Sequence, residues 1–411
     1  MLIRKRSFFE ILLPFTVLSF LSMGVRFVDV THLSDLRFLF IFGLFSYLLL
    51  NKALFFCLNS WSLGTLLVYM MWCVSTIIWS GFPLLSFTKG GMFVLTIITM
   101  VSAGSMWILK FGYERALYWL FFVMIVTLCS GLFGGGAGSF DLEHNVNLYT
   151  GLTTNANNFG FLCAIAISLI LWQLYRYRHN RTFFLIWLLL LILDARFLFM
   201  TYSRSAIGIF FSILFFFAIS FPLSKKILTL ITVFFVIIIS LLLTPASYIQ
   251  NFATKHILKY GDNSSELFNT RMPLWENSYK LAMKGGIFGG GFGVKIDAST
   301  HVKNFSSSVY SGETGNAQLD IIEETGIVGF LLYLFVLASF FTYVIPYYRF
   351  FKGPVKVIMG IILGVICGLL LESLVEGWWD SLGSEVICYW TFIGVVYGII
   401  YNEKRMKRID L

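Results

Sequence analysis

The chain reads as an all-α polytopic membrane protein, with about twelve transmembrane helices and one large outer loop between the ninth and the tenth. Hydrophobic residues make up 58% of its 411 residues and charged residues 12%, far outside the balance of a soluble globular domain. Apolar runs recur along its whole length, each near the roughly 20 residues that a helix needs to cross a hydrocarbon core. The short alternating segments of a β-barrel are not the pattern here. Basic residues gather on alternate connections, as they do in a multi-pass chain.

In order along the chain, spans are expected near residues 8–22, 36–50, 61–79, 91–109, 116–133, 159–175, 182–200, 206–221, 227–243, 318–345, 357–375 and 386–402. The first, within "IRKRSFFEILLPFTVLSF", has the charged start and apolar core of a signal peptide, but the many spans behind it make an uncleaved anchor the expected reading. With the N-terminus in the cytoplasm, eighteen Lys and Arg fall on inner segments, from Arg4, Lys5 and Arg6 to Lys404, Arg405, Lys407 and Arg408. Only five (Arg26, Arg37, Lys89, Arg196 and Arg204) fall on the short outer ones. This bias places both termini inside and calls for an even number of spans. The net charge of +9 is therefore mostly topogenic. No loop is a continuous basic patch, so nucleic acid is not an expected partner. Cys57, Cys73, Cys129, Cys163, Cys367 and Cys388 lack metal-ligand spacing and read as small apolar residues, with neither a disulfide framework nor a metal site expected.

Three regions follow: helices one to nine in 1–243, the outer loop in 244–317, and helices ten to twelve with a short inner tail in 318–411. The loop is too polar to span and too long for a connector, which marks it as functional. Within it, "NTRMPLWENSYKLAMKGG" places Leu274, Trp275, Leu281 and Met283 at roughly helical spacing, predicting a short helix on the membrane surface. The following "GGIFGGGFGV" cannot be a stable helix. Its glycines permit a close backbone approach, which either exposes amides to an anion or lets two segments cross. A second outer stretch ends in "TTNANNFG", where Asn155, Asn157 and Asn158 either bind sugar hydroxyls or cap the sixth span.

Charges near the spans are the remaining signal. In "TYSRSAIGIF" Arg204 stands at the outer mouth between spans seven and eight, with Asp194 and Arg196 deeper in the seventh. Residues two apart face different sides of a helix, so Asp194 and Arg196 do not simply neutralise each other. Charges in spans usually face a bundle interior or an aqueous cavity; the competing reading is an arginine that snorkels to the interface. At the outer end of span eleven, Glu372 and Glu376 share a helix face, and "EGWWDSLGSE" adds Trp378, Trp379, Asp380 and Glu385. Carboxylates beside aromatic planes suit carbohydrate, although tryptophans there also suit an ordinary interfacial belt.

Three segments together resemble the O-antigen polymerase and O-antigen ligase superfamily. "YSRSAIG" is similar to its Ser-Arg-Ser-x-x-x-Gly at the start of a central span. "TRMPLWENSYKLAMKGGIFGGGFG" is similar to an Arg-x-x-x-Trp run leading to a Gly-x-Gly turn in its large periplasmic loop. "GNAQLDIIEETGIVGF" resembles its His-Asn-x-x-Leu segment and the Glu-x-Gly-x-x-Gly behind it, matched here by Asn316, Leu319, Glu324, Gly326 and Gly329. The histidine of the ligases is replaced by Gly315, and "HNVNL" at 144–148 repeats those letters without the spacing behind them.

The resemblance implies a glycosyltransferase of the bacterial inner membrane, acting on undecaprenyl-diphosphate-linked oligosaccharide at the periplasmic face and needing no cofactor. Membrane lipid, a chain-length regulator and a flippase are the partners it implies. The ligase histidine is the base there, so Gly315 favours a polymerase of O-antigen, capsule or exopolysaccharide over a ligase acting on lipid A core or protein. A flippase or other transporter of the same lipid would also need many spans, but no half-to-half repeat is visible. Guanidinium groups stabilise charge on a leaving diphosphate, which points to Arg204 and Arg271, with Arg196 in support. Candidates for the base are Glu313, His301, Glu324 and Glu376. Glu324 also suits a structural place at the N-terminus of span ten. Asn155, Asn158, Asn316, Glu372 and Trp378 complete the expected substrate contacts.

Overall fold

The computed structural model describes residues 8–21, 36–54, 60–134, 139–141, 146–222, 272–294, 315–379 and 382–407. The helices are α1 (Phe9–Leu21), α2 (Leu36–Leu50), α3 (Trp61–Ser75, continued by a 3-10 turn at Thr76–Ile78), α4 (Pro83–Phe111), α5 (Phe121–Phe133), α6 (Ala156–Arg176), α7 (Arg181–Met200), α8 (Arg204–Ile219), α9 (Met272–Gly285), α10 (Ala317–Phe350), α11 (Gly353–Glu372) and α12 (Ser384–Lys407). A two-stranded antiparallel ribbon, Ser139–Asp141 with Val146–Leu148, holds part of the "HNVNL" segment.

Among the described residues, eight helices are long and apolar enough to cross a membrane: those of α3 to α7 and α10 to α12. Expected spans one, two and eight are the shorter α1, α2 and α8, and the ninth, 227–243, lies outside the described residues. α4 begins eight residues before its expected start at 91, because Pro83 at its first turn has a φ already suited to a helix and no N–H to satisfy.

Two helix pairs pack most closely, and glycine is the reason. A Cβ on Gly364 would stand 2.6 Å from the Ile213 Cα, and one on Gly368 would stand 2.8 Å from the Ile209 Cα, so α11 lies backbone to backbone on α8. On the α4–α12 pair, a Cβ on Gly398 would stand 2.8 Å from the Ser105 carbonyl oxygen. Apolar packing gains little over lipid in a bilayer, so association rests on such close contact. The α8–α11 seam is what fixes the site below: it locks the start of α8 beside the end of α11.

Candidate functional site

The Gly-rich turn is a joint. α10 is broken at Gly326, which has φ 71°, so its short first segment and its long second one do not share a hydrogen-bond ladder there. Residues 286–291 fill the gap. Gly290 and Gly291 N–H donate to the Glu323 and Glu324 carbonyls at 2.9 and 3.0 Å, while Ile327 and Val328 N–H donate to the Gly286 and Ile287 carbonyls at 3.1 and 3.3 Å. In an unbroken helix those N–H groups would have served those Glu carbonyls, so the turn exchanges with the helix group for group. Trp72 Nε1 caps the Thr325 carbonyl at 3.0 Å, and Phe292 N–H donates to Thr76 Oγ1 at 2.9 Å. Of the two readings of "GGIFGGGFGV", crossing is therefore the one observed, and the amides of Gly290 and Gly291 are spent on carbonyls rather than offered to an anion. Glu324, 1% exposed, stands just before the break and inside the joint. Its burial there accords with the structural place that was one of its two expected roles. The expected span at 318–345 becomes a kinked helix of 34 residues.

α9 forms as expected but lies against the first segment of α10: Ser278, Leu281 and Ala282 are buried, while Tyr279 and Met283 are exposed. Trp275 Nε1 donates to the Gly315 carbonyl at 2.8 Å, tying this helix to the approach to α10.

Arg204 is placed by a tight turn. Tyr202 adopts φ 57°, reversing the chain between α7 and α8. Ser203 N–H donates to Thr201 Oγ1 at 3.2 Å, and Ser203 Oγ accepts from Ala206 N–H at 3.4 Å as the N-cap of α8. Arg204 is the first residue of that helix and is exposed. Its guanidinium thus adds to the positive end of the α8 dipole, which by itself favours an anion. Asp194 is buried with Cys163 beside it, and Arg196 is half-buried, its Nε without a hydrogen-bond partner among the described residues. They face apart, as their spacing requires.

Helix ends from four other elements meet this turn. α6 starts beneath it: a Cβ on Gly160 would stand 3.0 Å from Ser203 Cβ. Asn155 is the N-cap of α6, accepting from Asn157 N–H at 2.9 Å, which is the capping role of its two readings. Asn158 lies half-buried in the same first turn. Asn157 reaches across to the end of α11, its Nδ2 standing 3.4 Å from Glu376 Oε1. Glu372, 5% exposed, lies beside Ser205, the neighbour of Arg204 in the chain, and has Glu376 and Glu385 as charged neighbours. Glu385, in the first turn of α12, accepts from Ser384 Oγ at 2.9 Å. The start of α10 is stitched to the same place. Asn316 caps α10 through Gln318 and Leu319 N–H, its Nδ2 donates to the Leu374 carbonyl at 3.0 Å, and Ala317 N–H donates to the Ser373 carbonyl at 2.9 Å.

Trp378 is not an open sugar platform. It is 4% exposed, with ring centroids 5.6 Å from Trp379 and 5.7 Å from Tyr389. Arg271, His301 and Glu313 lie outside the described residues. Among the described residues no group of three His, Cys, Asp or Glu side chains is arranged to hold a metal ion.

Below Arg204 a groove of about 780 Å³ runs between α8, α10 and α11. Gly208, Phe211, Ser212 and Phe215 line it from α8, Leu334 and Leu337 from α10, and Leu370 and Leu371 from α11. Arg204 heads the α8 stripe, because residues 204, 208, 211, 212 and 215 fall on one helix face. Gln318 and Tyr333 also line it, and Gln318 Nε2 donates to Ser373 Oγ at 2.8 Å. The sequence gives no sign of this groove, since α8 is apolar all round. Ser205 was equally hidden, and Asn157, named only as a sugar or cap candidate, gains its partner from the approach of α6 and α11.

The family model described as O-antigen ligase matches residues 189–334, a stretch that contains the Arg204 turn, the Gly-rich joint and the start of α10. This bears out the resemblance read from the three motifs and indicates a glycosyl-transferring membrane enzyme of O-antigen ligase or polymerase type. Among curated proteins none matches the chain.

Proposed function

We propose that the chain is a polysaccharide polymerase, joining undecaprenyl-diphosphate-linked oligosaccharide repeats at the periplasmic face of a bacterial inner membrane. One observation carries this reading: an arginine at a helix N-terminus stands at the head of an apolar groove. A cation over a greasy channel suits an amphiphile with an anionic head and a long hydrocarbon tail, which is the form of a lipid-linked diphosphate. Carboxylates and amides at the same junction suit sugar hydroxyls, which donate and accept hydrogen bonds.

In the reaction an acceptor hydroxyl oxygen attacks the anomeric carbon of the donor, and the bond from that carbon to the diphosphate breaks. The electron pair leaves on the diphosphate oxygen. Arg204, the α8 dipole and Arg271 stabilise that growing charge through preorganised donors, an arrangement in which each donor typically contributes on the order of 100-fold or more in rate. The donor's energy is already in the anomeric diphosphate, so no nucleotide sugar is required.

The description of the matching family model favours a second reading, a ligase that passes finished glycan to another acceptor. Gene deletion separates the two. A lost polymerase leaves surface glycan one repeat long, whereas a lost ligase leaves full-length polymer stranded on its lipid carrier. Stranded polymer would overturn the polymerase reading.

A further inference from the structure

We infer that the Gly-rich turn is seated in phospholipid: Ile287 and Phe288 enter the adjoining leaflet of the bilayer, between the end of α3 and the break in α10, and moor the joint to the membrane. This surface is independent of the glycosyl-transfer reading above, since it concerns what the joint rests on and not the reaction. Depth is the first ground. The part of α10 behind the break, residues 327–350, makes roughly 36 Å of helix, enough to cross a hydrocarbon core of about 30 Å without the segment before it. α3 with its 3-10 turn crosses as Trp61–Ile78, and so also ends at the membrane boundary. Both ends hold the turn. Ile327 and Val328 N–H donate to the Gly286 and Ile287 carbonyls, and Trp79 Nε1, one residue past the other span, donates to the Phe288 carbonyl at 3.1 Å. Two spans thus fix residues 286–288 at the edge of the hydrocarbon, although they belong to a loop too polar to span.

The side chains at that height are those of a lipid contact. Ile287 and Phe288 are 60% and 55% exposed, whereas Phe292, four residues after Phe288, is buried, with its N–H on Thr76 Oγ1. The chain therefore dips outward at the pair and returns to the protein. Exposed apolar residues lead away from the pair along both spans: Ile78, Met71, Val68 and Leu67 on α3, and Ile327, Leu331 and Phe335 on α10. Positions 327, 331 and 335 repeat every four residues and share one helix face, which meets acyl chains when α10 crosses the bilayer. Ile287 and Phe288 continue that surface.

The surroundings of the pair identify the occupant. Trp79 and Trp72 flank Phe288, with ring centroids 5.8 and 6.2 Å from it, and each spends its Nε1 on a carbonyl of the joint. Tryptophan, with an apolar body and one polar N–H, concentrates where hydrocarbon gives way to headgroups. α9, which leads into the turn, exposes Tyr279 and Met283 beside Lys280 and Lys284. Apolar and basic side chains mixed on one exposed helix surface suit a helix lying among phosphate headgroups. Charge and apolarity together therefore match phospholipid.

The test uses the full-length protein with a bimane label at Phe288→Cys, in vesicles of phosphatidylethanolamine and phosphatidylglycerol. Wild type carried through the same labelling is the blank for the native cysteines. Leu331→Cys, on the exposed face of α10, is the lipid reference, and His179→Cys, in the exposed turn between α6 and α7, is the aqueous one. Two quenchers are compared: phospholipid bearing a nitroxide near the glycerol end of its acyl chain, and iodide equilibrated across the vesicles. The nitroxide should quench the label at 288 at least as strongly as the label at 331, and iodide should quench it several-fold less than the label at 179. A label at 288 that iodide quenches as well as at 179, while the nitroxide leaves it bright, overturns the seat. One quenched by neither is covered by a second copy or by another part of the protein, and overturns it equally. Should Phe288→Cys fail to fold, Ile287→Cys is read by the same two quenchers against the same references.

Discussion

At the scale of residues, the proposed chemistry depends on a geometry that lysine cannot copy. Arg204 sits at the first position of α8 with its cap complete, and Arg271 immediately precedes α9 in the chain. A lysine keeps the charge but loses the planar fork that grips two phosphate oxygens, so Arg204→Lys and Arg271→Lys are each expected to slow chain growth by on the order of 100-fold at unchanged protein level. Initial rates at equal protein concentration measure this, and a wild-type rate from either variant removes that residue from the site. Much at this scale was legible beforehand. Arg204, Glu372 and Glu376 stood out because charge is rare in so apolar a chain. Glu324 stood out too, yet its side chain is enclosed, since the glycine two places on breaks the helix and draws another segment over it. Trp378 was misleading for a related reason: a tryptophan near a span end looks interfacial in sequence, but here Trp379 and Tyr389 pack against it and it is buried.

At the scale of elements, the groove under Arg204 makes the sharpest claim. Gly208 opens its upper part, and a Cβ there would meet nothing within 4 Å, so a larger side chain enters the groove without disturbing the fold. Gly208→Trp should therefore purify and melt like wild type while using long-chain lipid-linked repeats poorly. Excluding the tail from the groove removes the close contacts that α8, α10 and α11 offer it there and is expected to lower use of the long-chain donor. A donor analogue with a short isoprenoid chain, which does not reach into the groove, should be affected less. Equal use of both donors by the variant would show that the tail lies elsewhere. None of this was readable from α8 alone, whose apolar residues leave no polar face to contrast with a lining. The α8–α11 seam was equally silent: glycines spaced by four in "GIILGVICG" allow close packing but do not name the partner helix.

At the scale of the molecule, composition and run length gave the helical membrane class and most span positions, because a bilayer imposes its thickness on the sequence. Span ends were less legible. Caps such as Asn155, Ser203 and Asn316 set them, and α10 and α4 extend beyond the apolar run that announced them. The basic bias further predicts that residues 244–317 lie outside the cytoplasm and 345–356 inside. Reporter fusions at residues 300 and 352 check this; an active cytoplasmic reporter at 300 would put the Arg204 junction on the wrong side for any periplasmic reaction.

The central claim is that this chain makes glycosidic bonds between identical lipid-linked repeats, and the most direct measurement is the product pattern of the purified protein given those repeats alone. A ladder of lengthening lipid-linked chains is predicted, formed without nucleotide sugar, since the same molecule serves as donor and acceptor. It should survive chelation, because Arg204 and Arg271 are assigned the leaving charge. A ladder abolished by chelation and restored by magnesium would contradict the arginine mechanism. No new bond under any condition, or product only after lipid A core is added, would contradict the polymerase itself.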